Sequence, residues 1–255
     1  MDDLQQVIEK ERFHHDSIAA DYDQWFVEPL QYRLLNREIY DQIVATLKCK
    51  GEIILEIGAG TGAIAIPLAE SGYNVMAMDI SIEMLDNFRR KNNMTPVFQA
   101  NALQLPIQTG SVKSVIVSET LHHLPEKHKF LDEIRRVLAK DGIIFIFEPQ
   151  KLPSGLDWIR RMVRLIFCPG VHVEDEEPIE PKELVNVIKN SGFHIVSIKT
   201  TFFFPFSSKS PTIQKVIERV WNWPSKIPLI NRFGGVVKIV ARKNTNGYPV
   251  PVLRG

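Results

Sequence analysis

The chain has little of what would commit it to an unusual environment. Only two cysteines, Cys49 and Cys168, occur in 255 residues. Far apart in sequence, they form neither a metal-type pair nor a disulfide framework, and a reducing cytoplasm is their simplest setting. No apolar run approaches the roughly 20 residues that span a bilayer. The opening "MDDLQQVIEKERFHHD" is charged and lacks an apolar signal core, so export by that route is not expected. Excess charge of one sign is missing too: 31 Lys plus Arg stand against 30 Asp plus Glu, which argues against nucleic acid as a partner. There is no internal repeat and no low-complexity segment. What remains, 44% hydrophobic and 24% charged residues, is the composition of a globular protein long enough to bury a full core.

Short β-branched runs alternate with helical patterns from residue 52 onward. The runs are "EIILEIG" (52–58), "NVMAMDI" (74–80), "PVFQA" (96–100), "SVIVSE" (114–119) and "GIIFIFEP" (142–149). Each is nearly continuous in apolar residues, as strands buried on both faces must be. Between them "TGAIAIPLAESG", "SIEMLDNFRRKNN" and "EKHKFLDEIRRVLAKDG" carry apolar residues at helical spacing. Gly72 and Gly142 sit where helices commonly stop, and Ser81 followed by Met84 and Leu85 reads as an N-cap and first turn. The alternation predicts a doubly wound, mostly parallel α/β sheet with helices on both faces. "FHIVSIKTTF" and "GGVVKIVARK" supply a sixth and a seventh strand.

The resulting organisation is an amino-terminal helical arm (1–50), a core (51–150), a cap insertion (151–180) and a carboxyl-terminal part of the sheet (181–255) interrupted by a second insertion (203–233). Open sheets of this kind bind ligands outside the carboxyl ends of their strands. "EIGAGTG" (56–62) falls there. Gly58 and Gly60 allow a tight turn and close approach of a ligand, and Gly62 lets the following helix start close to the strand. Glu56 places a carboxylate beside the bend, which would repel a pyrophosphate and attract a cationic amine or sulfonium. "GAGTGA" (58–63) also fits the dinucleotide pattern G-x-G-x-x-A, so an NAD(P)-dependent oxidoreductase stays open as a competitor. Asp79, 17 residues after Gly62, can accept from both hydroxyls of a ribose in either reading.

Glu56-x-Gly58-x-Gly60-x-Gly62, Asp79, "NALQLP" (101–106), "VSETLHHLPE" (117–126) and "EIRRVLAKDGIIFIFEP" (133–149) together resemble the class I S-adenosylmethionine-dependent methyltransferases. The resemblance is strongest to the small-molecule branch that includes the ubiquinone and menaquinone methyltransferases, and it covers roughly residues 50–150. It implies a Rossmann-like seven-stranded fold and S-adenosyl-L-methionine as cofactor. The turn from Glu56 through Gly58, Ala59 and Gly60 to Gly62 would hold the methionine moiety, and Asp79 the ribose. Ile80 and Met84 would flank the adenine. Asn101 stands where the family usually has Asp, its carbonyl oxygen able to accept from the adenine amino group, and Ala102 follows as the usual small neighbour. Ser118 and Glu119 would line the wall around the reactive methyl, and Tyr22 in the arm would close over the cofactor.

Methyl transfer from a sulfonium needs alignment and exclusion of water, and a base only where the nucleophile carries a firmly held proton. His122 and His123 are the base candidates, of which adjacency allows at most one in the site. His122, His123 and His128 lack the spacing of a metal site, so no metal is expected, and His14 and His15 read as solvent-facing. In "LDWIRRMVRLIF" (156–167) Asp157, Arg160, Arg161 and Arg164 share one helical face, opposite Trp158, Ile159, Met162, Val163 and Ile166. That pattern suits a lid over the substrate or a helix lying on an anionic membrane, with "EDEEP" (174–178) opposing the second reading. "TFFFPF" (201–206), Trp221 and Trp223 add apolar surface, which points to a lipophilic or aromatic small-molecule acceptor. A protein that binds the cofactor without catalysis is the remaining alternative.

Overall fold

The computed structural model describes residues 3–47, 49–151, 178–201, 211–220 and 235–244. The amphipathic segment 156–167, the acidic run around 174–177, the stretch 202–206, Trp221, Trp223 and Cys168 lie outside the described residues. Three helices come first: α1 (Asp3–Ile18), α2 (Tyr22–Phe26) and α3 (Leu30–Thr46). The sheet then alternates β1 (Ile54–Ile57), α4 (Ala65–Glu70), β2 (Val75–Asp79), α5 (Ile82–Lys91), β3 (Val97–Gln99), β4 (Val112–Ser118), α6 (Lys127–Val137) and β5 (Leu138–Pro149). It is completed by α7 (Pro181–Asn190), β6 (Phe193–Thr201), α8 (Pro211–Val220) and β7 (Val236–Lys243).

The seven strands lie in the order β3-β2-β1-β4-β5-β7-β6. β1 through β5 pair in parallel, and β7 runs antiparallel between β5 and β6. β1 sits between β2 and β4, and its four residues are all buried. Because consecutive strand residues face opposite sides, Leu55 and Ile57 join one core cluster with α6 and α7, while Ile54 joins the other with α3 and α4. Strand order reverses at β1, with β2 on one side and β4 on the other, which opens a crevice at their carboxyl ends.

Local signals account for most boundaries. Ser81 caps α5 by accepting the Met84 N–H at 3.1 Å, as its sequence position predicts. Gly72, at φ +84°, follows α4. One boundary differs from expectation: α6 ends at Val137, and Leu138 to Asp141 belong to β5. Leu138 pairs with Val112 and is fully buried, so sheet pairing overrides the helical spacing that continues through this stretch. Gly142 therefore lies inside a strand rather than at a helix stop.

The amino-terminal arm is tied to the core by polar contacts far apart in sequence. The Ser81 hydroxyl donates to Asp16 Oδ1 at 2.6 Å and Asn87 Nδ2 donates to the Ala19 carbonyl at 2.7 Å. Asp23 in α2 accepts from Thr61 of the glycine turn and pairs with Lys91 at 2.8 Å. These contacts lay α1 and α2 across the carboxyl edge of β1 and β2.

Candidate active site

An open cavity occupies the crevice at the carboxyl ends of β1, β2 and β4. Its floor is the strand ends: Ile57 and Gly58 after β1, Met78 and Asp79 on β2, Ser118 and Glu119 after β4. Gly60, Ile80, Met84, Asn101 and Ala102 form one side, and Tyr22 closes over it from α2. Of the sequence candidates, Glu56, Ala59, Gly62 and His122 do not line the cavity. Ile8, Glu11 and His15 of α1, with Ala100, Thr120, Leu124 and Pro125, line it without having been anticipated.

The turn after β1 meets several demands at once. Gly60 has φ +52°, and a Cβ there would find only the Tyr22 ring, at 3.8 Å, so the turn leaves open space toward the cavity. Gly62 has φ +91°, and a Cβ there would lie 2.6 to 2.7 Å from Ile66 and Phe88. It is required for packing of the fully buried Phe88 rather than for ligand contact.

Glu56 is the anomaly of the central strand, a carboxylate 2% exposed. Burial pushes its carboxyl up to about 8, partly offset by a hydrogen bond from the Ala65 N–H at the start of α4 and reinforced by the charge of Asp79. Its Oε2 has no hydrogen-bond partner. A buried oxygen without a partner suits a donor or cation brought by a ligand.

Asp79 is also held above the ordinary aspartate range by burial, despite hydrogen bonds from the backbone. Its Oδ2 accepts from the Gly60 N–H at 2.8 Å and its Oδ1 from the Ser81 N–H at 2.9 Å. The helix cap falls to Ser81, so Asp79 braces the glycine turn and still faces the cavity. Asn101 Oδ1 accepts the Leu103 N–H at 2.9 Å, so one lone pair of that oxygen is committed to its own loop. Glu119 takes φ +50°, a left-handed conformation rare outside glycine, while its N–H donates to the Phe147 carbonyl at 2.8 Å. Backbone strain of this kind gathers at functional sites.

The two adjacent histidines separate. His122 Nδ1 lies 2.7 Å from Glu148 Oε2, with both side chains buried. Glu148 Oε1 also accepts from the Thr120 and Leu121 N–H groups at 3.0 and 2.8 Å. His122 is thus part of a buried brace behind the wall. His123 lies against it, with ring centroids 4.1 Å apart and planes tilted by 38°, and faces the cavity. There His123 Nδ1 lies 3.2 Å from Glu11 Oε2, and His15 Nε2 lies 3.8 Å from the same oxygen. Burial acts to raise the Glu11 carboxyl, but the hydrogen bond and charge of His123 outweigh it and hold Glu11 below its ordinary value. Burial, then repulsion from His123, lowers His15 to about 4. The expectation that His15 faces solvent is corrected here: docking of α1 turns it inward, while His14 remains exposed.

Such an arrangement, a glycine turn with a buried carboxyl and a second acid at the next strand end, suits a nucleoside-type cofactor on a doubly wound sheet. Residues 55–146 match the family model described as a methyltransferase domain. The chain is 40% identical over 109 residues to a demethylmenaquinone methyltransferase of Clavibacter sepedonicus, a match covering 42% of this chain and 44% of that one. The matched part thus spans less than half the length of that relative. It is 30% identical over 190 residues to an uncharacterised methyltransferase of Mycobacterium tuberculosis, covering 68% of this chain and 74% of that protein. The crystal structure of magnesium protoporphyrin IX methyltransferase from Synechocystis with bound S-adenosylhomocysteine superposes with a TM-score of 0.65 at 16% identity, over 93% of this chain and 100% of that one. That last likeness shows the fold. The chain belongs to the class I S-adenosylmethionine-dependent methyltransferases, and S-adenosylmethionine is its cofactor.

The residues present fit that cofactor. The orphaned Glu56 oxygen suits a cationic ligand, the open face of Gly60 leaves room beside the backbone, and Asp79 presents a carboxylate to the cavity.

Proposed function

We propose that this chain methylates a hydroxyl of a lipophilic small molecule, a phenol or quinol type of acceptor. The observation that carries the reading is the division of the cavity. Its glycine-turn side is bounded by Asp79 and Asn101, while Ile8, Leu124 and Pro125 form an apolar side that holds one polar corner, Glu11 with His15 and His123.

When bound, S-adenosylmethionine supplies an electrophilic methyl on a sulfonium, which passes to the acceptor as the sulfur–carbon bond breaks and a neutral thioether remains. Among the chain's own residues, Glu56, Gly58 and Gly60 of the glycine turn with Asp79, Ile80, Met84, Asn101 and Ala102 bind the cofactor. Tyr22 and α1 exclude water, and Ser118 and Glu119 border the acceptor. The acceptor's proton leaves toward the polar corner, where the His123 and His15 imidazoles both line the cavity. The relative from Clavibacter is named for a quinone-type substrate, which supports a lipophilic ring system as the acceptor. The amphipathic pattern of residues 156–167 supports delivery of such an acceptor from a membrane surface.

Calorimetric titration with S-adenosylhomocysteine beside NADH, followed by turnover assays on lipophilic phenols and quinols, tests the proposal. Tight thioether binding with turnover of these acceptors is expected. Turnover of amines or thiols alone would overturn the acceptor class.

A further inference from the structure

We propose that Glu11, His15 and His123 form a binding site for a divalent transition-metal ion in the cavity wall, with a coordination position open to the acceptor. This deepens the acceptor reading above and rests on it. Glu11 and His15 are four residues apart on one face of α1, and His123 reaches them from the turn after β4. One ligand atom of each lies within 4.8 Å of the other two.

The spacing admits a metal ion. At 3.8 Å, His15 Nε2 is too far from Glu11 Oε2 for a hydrogen bond. Ligands held about 2.0–2.2 Å from a tetrahedral ion stand roughly 3.3–3.6 Å from one another. The Glu11 contacts to His123 at 3.2 Å and His15 at 3.8 Å bracket that value. Two imidazoles with one carboxylate make a borderline donor set suited to zinc and its first-row neighbours. Three protein ligands leave a position for substrate, as in catalytic rather than structural sites.

The surroundings also suit an ion. All three side chains line the cavity yet are mostly covered, at 26%, 20% and 17% exposure for Glu11, His15 and His123. The His123 ring is supported by contact with the tilted His122 ring, which Glu148 holds from behind. Support of that kind orients metal ligands. An ion here would also join the amino-terminal arm to the core at the acceptor's position.

The test uses the full chain, stripped with a chelator and titrated with Zn²⁺ against a chromophoric chelator. One Zn²⁺ per chain is expected. Loss of an orienting partner alone weakens metal sites about 10–100-fold, so Glu11→Gln and His15→Gln should each weaken binding at least roughly 100-fold. His14→Gln, on the exposed neighbour, should leave it unchanged. X-ray absorption on the wild-type zinc complex gives a reading that needs no variant: two imidazole nitrogens in the first shell support the site, and sulfur or a single imidazole overturns it. Absence of stoichiometric binding, or binding that survives His15→Gln, also overturns it. S-adenosylhomocysteine titrated into the same samples separates the two readings. Thioether binding without zinc sinks only the metal site, and zinc binding without the thioether sinks only the methyltransferase pocket.

Discussion

Glu56→Gln is expected to flatten the pH dependence of stability while abolishing tight cofactor binding. Burial raises the carboxyl from 4.5 to about 8, so the folded chain keeps a proton that the unfolded chain releases between those values. The stabilisation is complete below pH 4.5, declines as pH rises, and is gone above about 8. Over the whole window the difference amounts to about 5 kcal/mol, and between pH 6 and pH 8 to roughly 2–3 kcal/mol from this one group. Glutamine keeps the shape and stays neutral throughout. Urea unfolding of both proteins at the two pH values should show the wild type losing about 2 kcal/mol more than the variant. A cationic ligand reverses the balance by favouring the ionised carboxylate, so S-adenosylmethionine binding near pH 7 should release a proton from the wild type. Calorimetry in buffers of different ionisation heat reads that proton directly. Parallel pH profiles for the two proteins would refute the argument, since they would mean that the carboxyl is not held neutral in the folded chain.

Four further outcomes follow from the same geometry. Gly62→Ala should lower stability by about 2–4 kcal/mol in denaturant titrations, because a Cβ 2.6 to 2.7 Å from Ile66 and Phe88 adds overpacking to a left-handed backbone. Gly60→Ala should cost only about 1 kcal/mol in the same assay, yet weaken S-adenosylhomocysteine roughly tenfold or more by calorimetry, since its Cβ enters the cavity rather than the core. Asp79→Ala should weaken cofactor binding by about 2 kcal/mol or more and also lower stability, because the Gly60 and Ser81 N–H groups lose their acceptor. Glu148→Ala should destabilise the fold by about 3 kcal/mol, leaving the N–H groups of Thr120 and Leu121 and the His122 ring without their shared partner. A Glu148→Ala chain as stable as the wild type would remove that brace from the account.

Among the described residues no helix is long and apolar enough to cross a membrane, in line with the absence of long apolar runs. Much of the cavity was legible because its residues sit at strand ends. A parallel sheet brings every strand's carboxyl end to one edge, so the "EIGAGTG" turn and Asp79 could be placed from order and spacing, while Asn101–Ala102 and Ser118–Glu119 were legible only through the family resemblance. Helical spacing misplaced the end of α6, because pairing of Leu138 with Val112 competes with it and pairing is not encoded locally. Two adjacent histidines could not be told apart either, until Glu148, 26 residues beyond His122, took one of them into the wall. The Glu11–His15–His123 corner was the least legible part. The i, i+4 pair is visible in "EKERFHH", but its third member comes from the turn after β4. What joins them is the docking of α1, through contacts such as Asp16 with Ser81 and Ala19 with Asn87, 65 and 68 residues apart. Local spacing determined the sheet and the cofactor turn; the polar corner exists only because distant side chains fix where the arm lies.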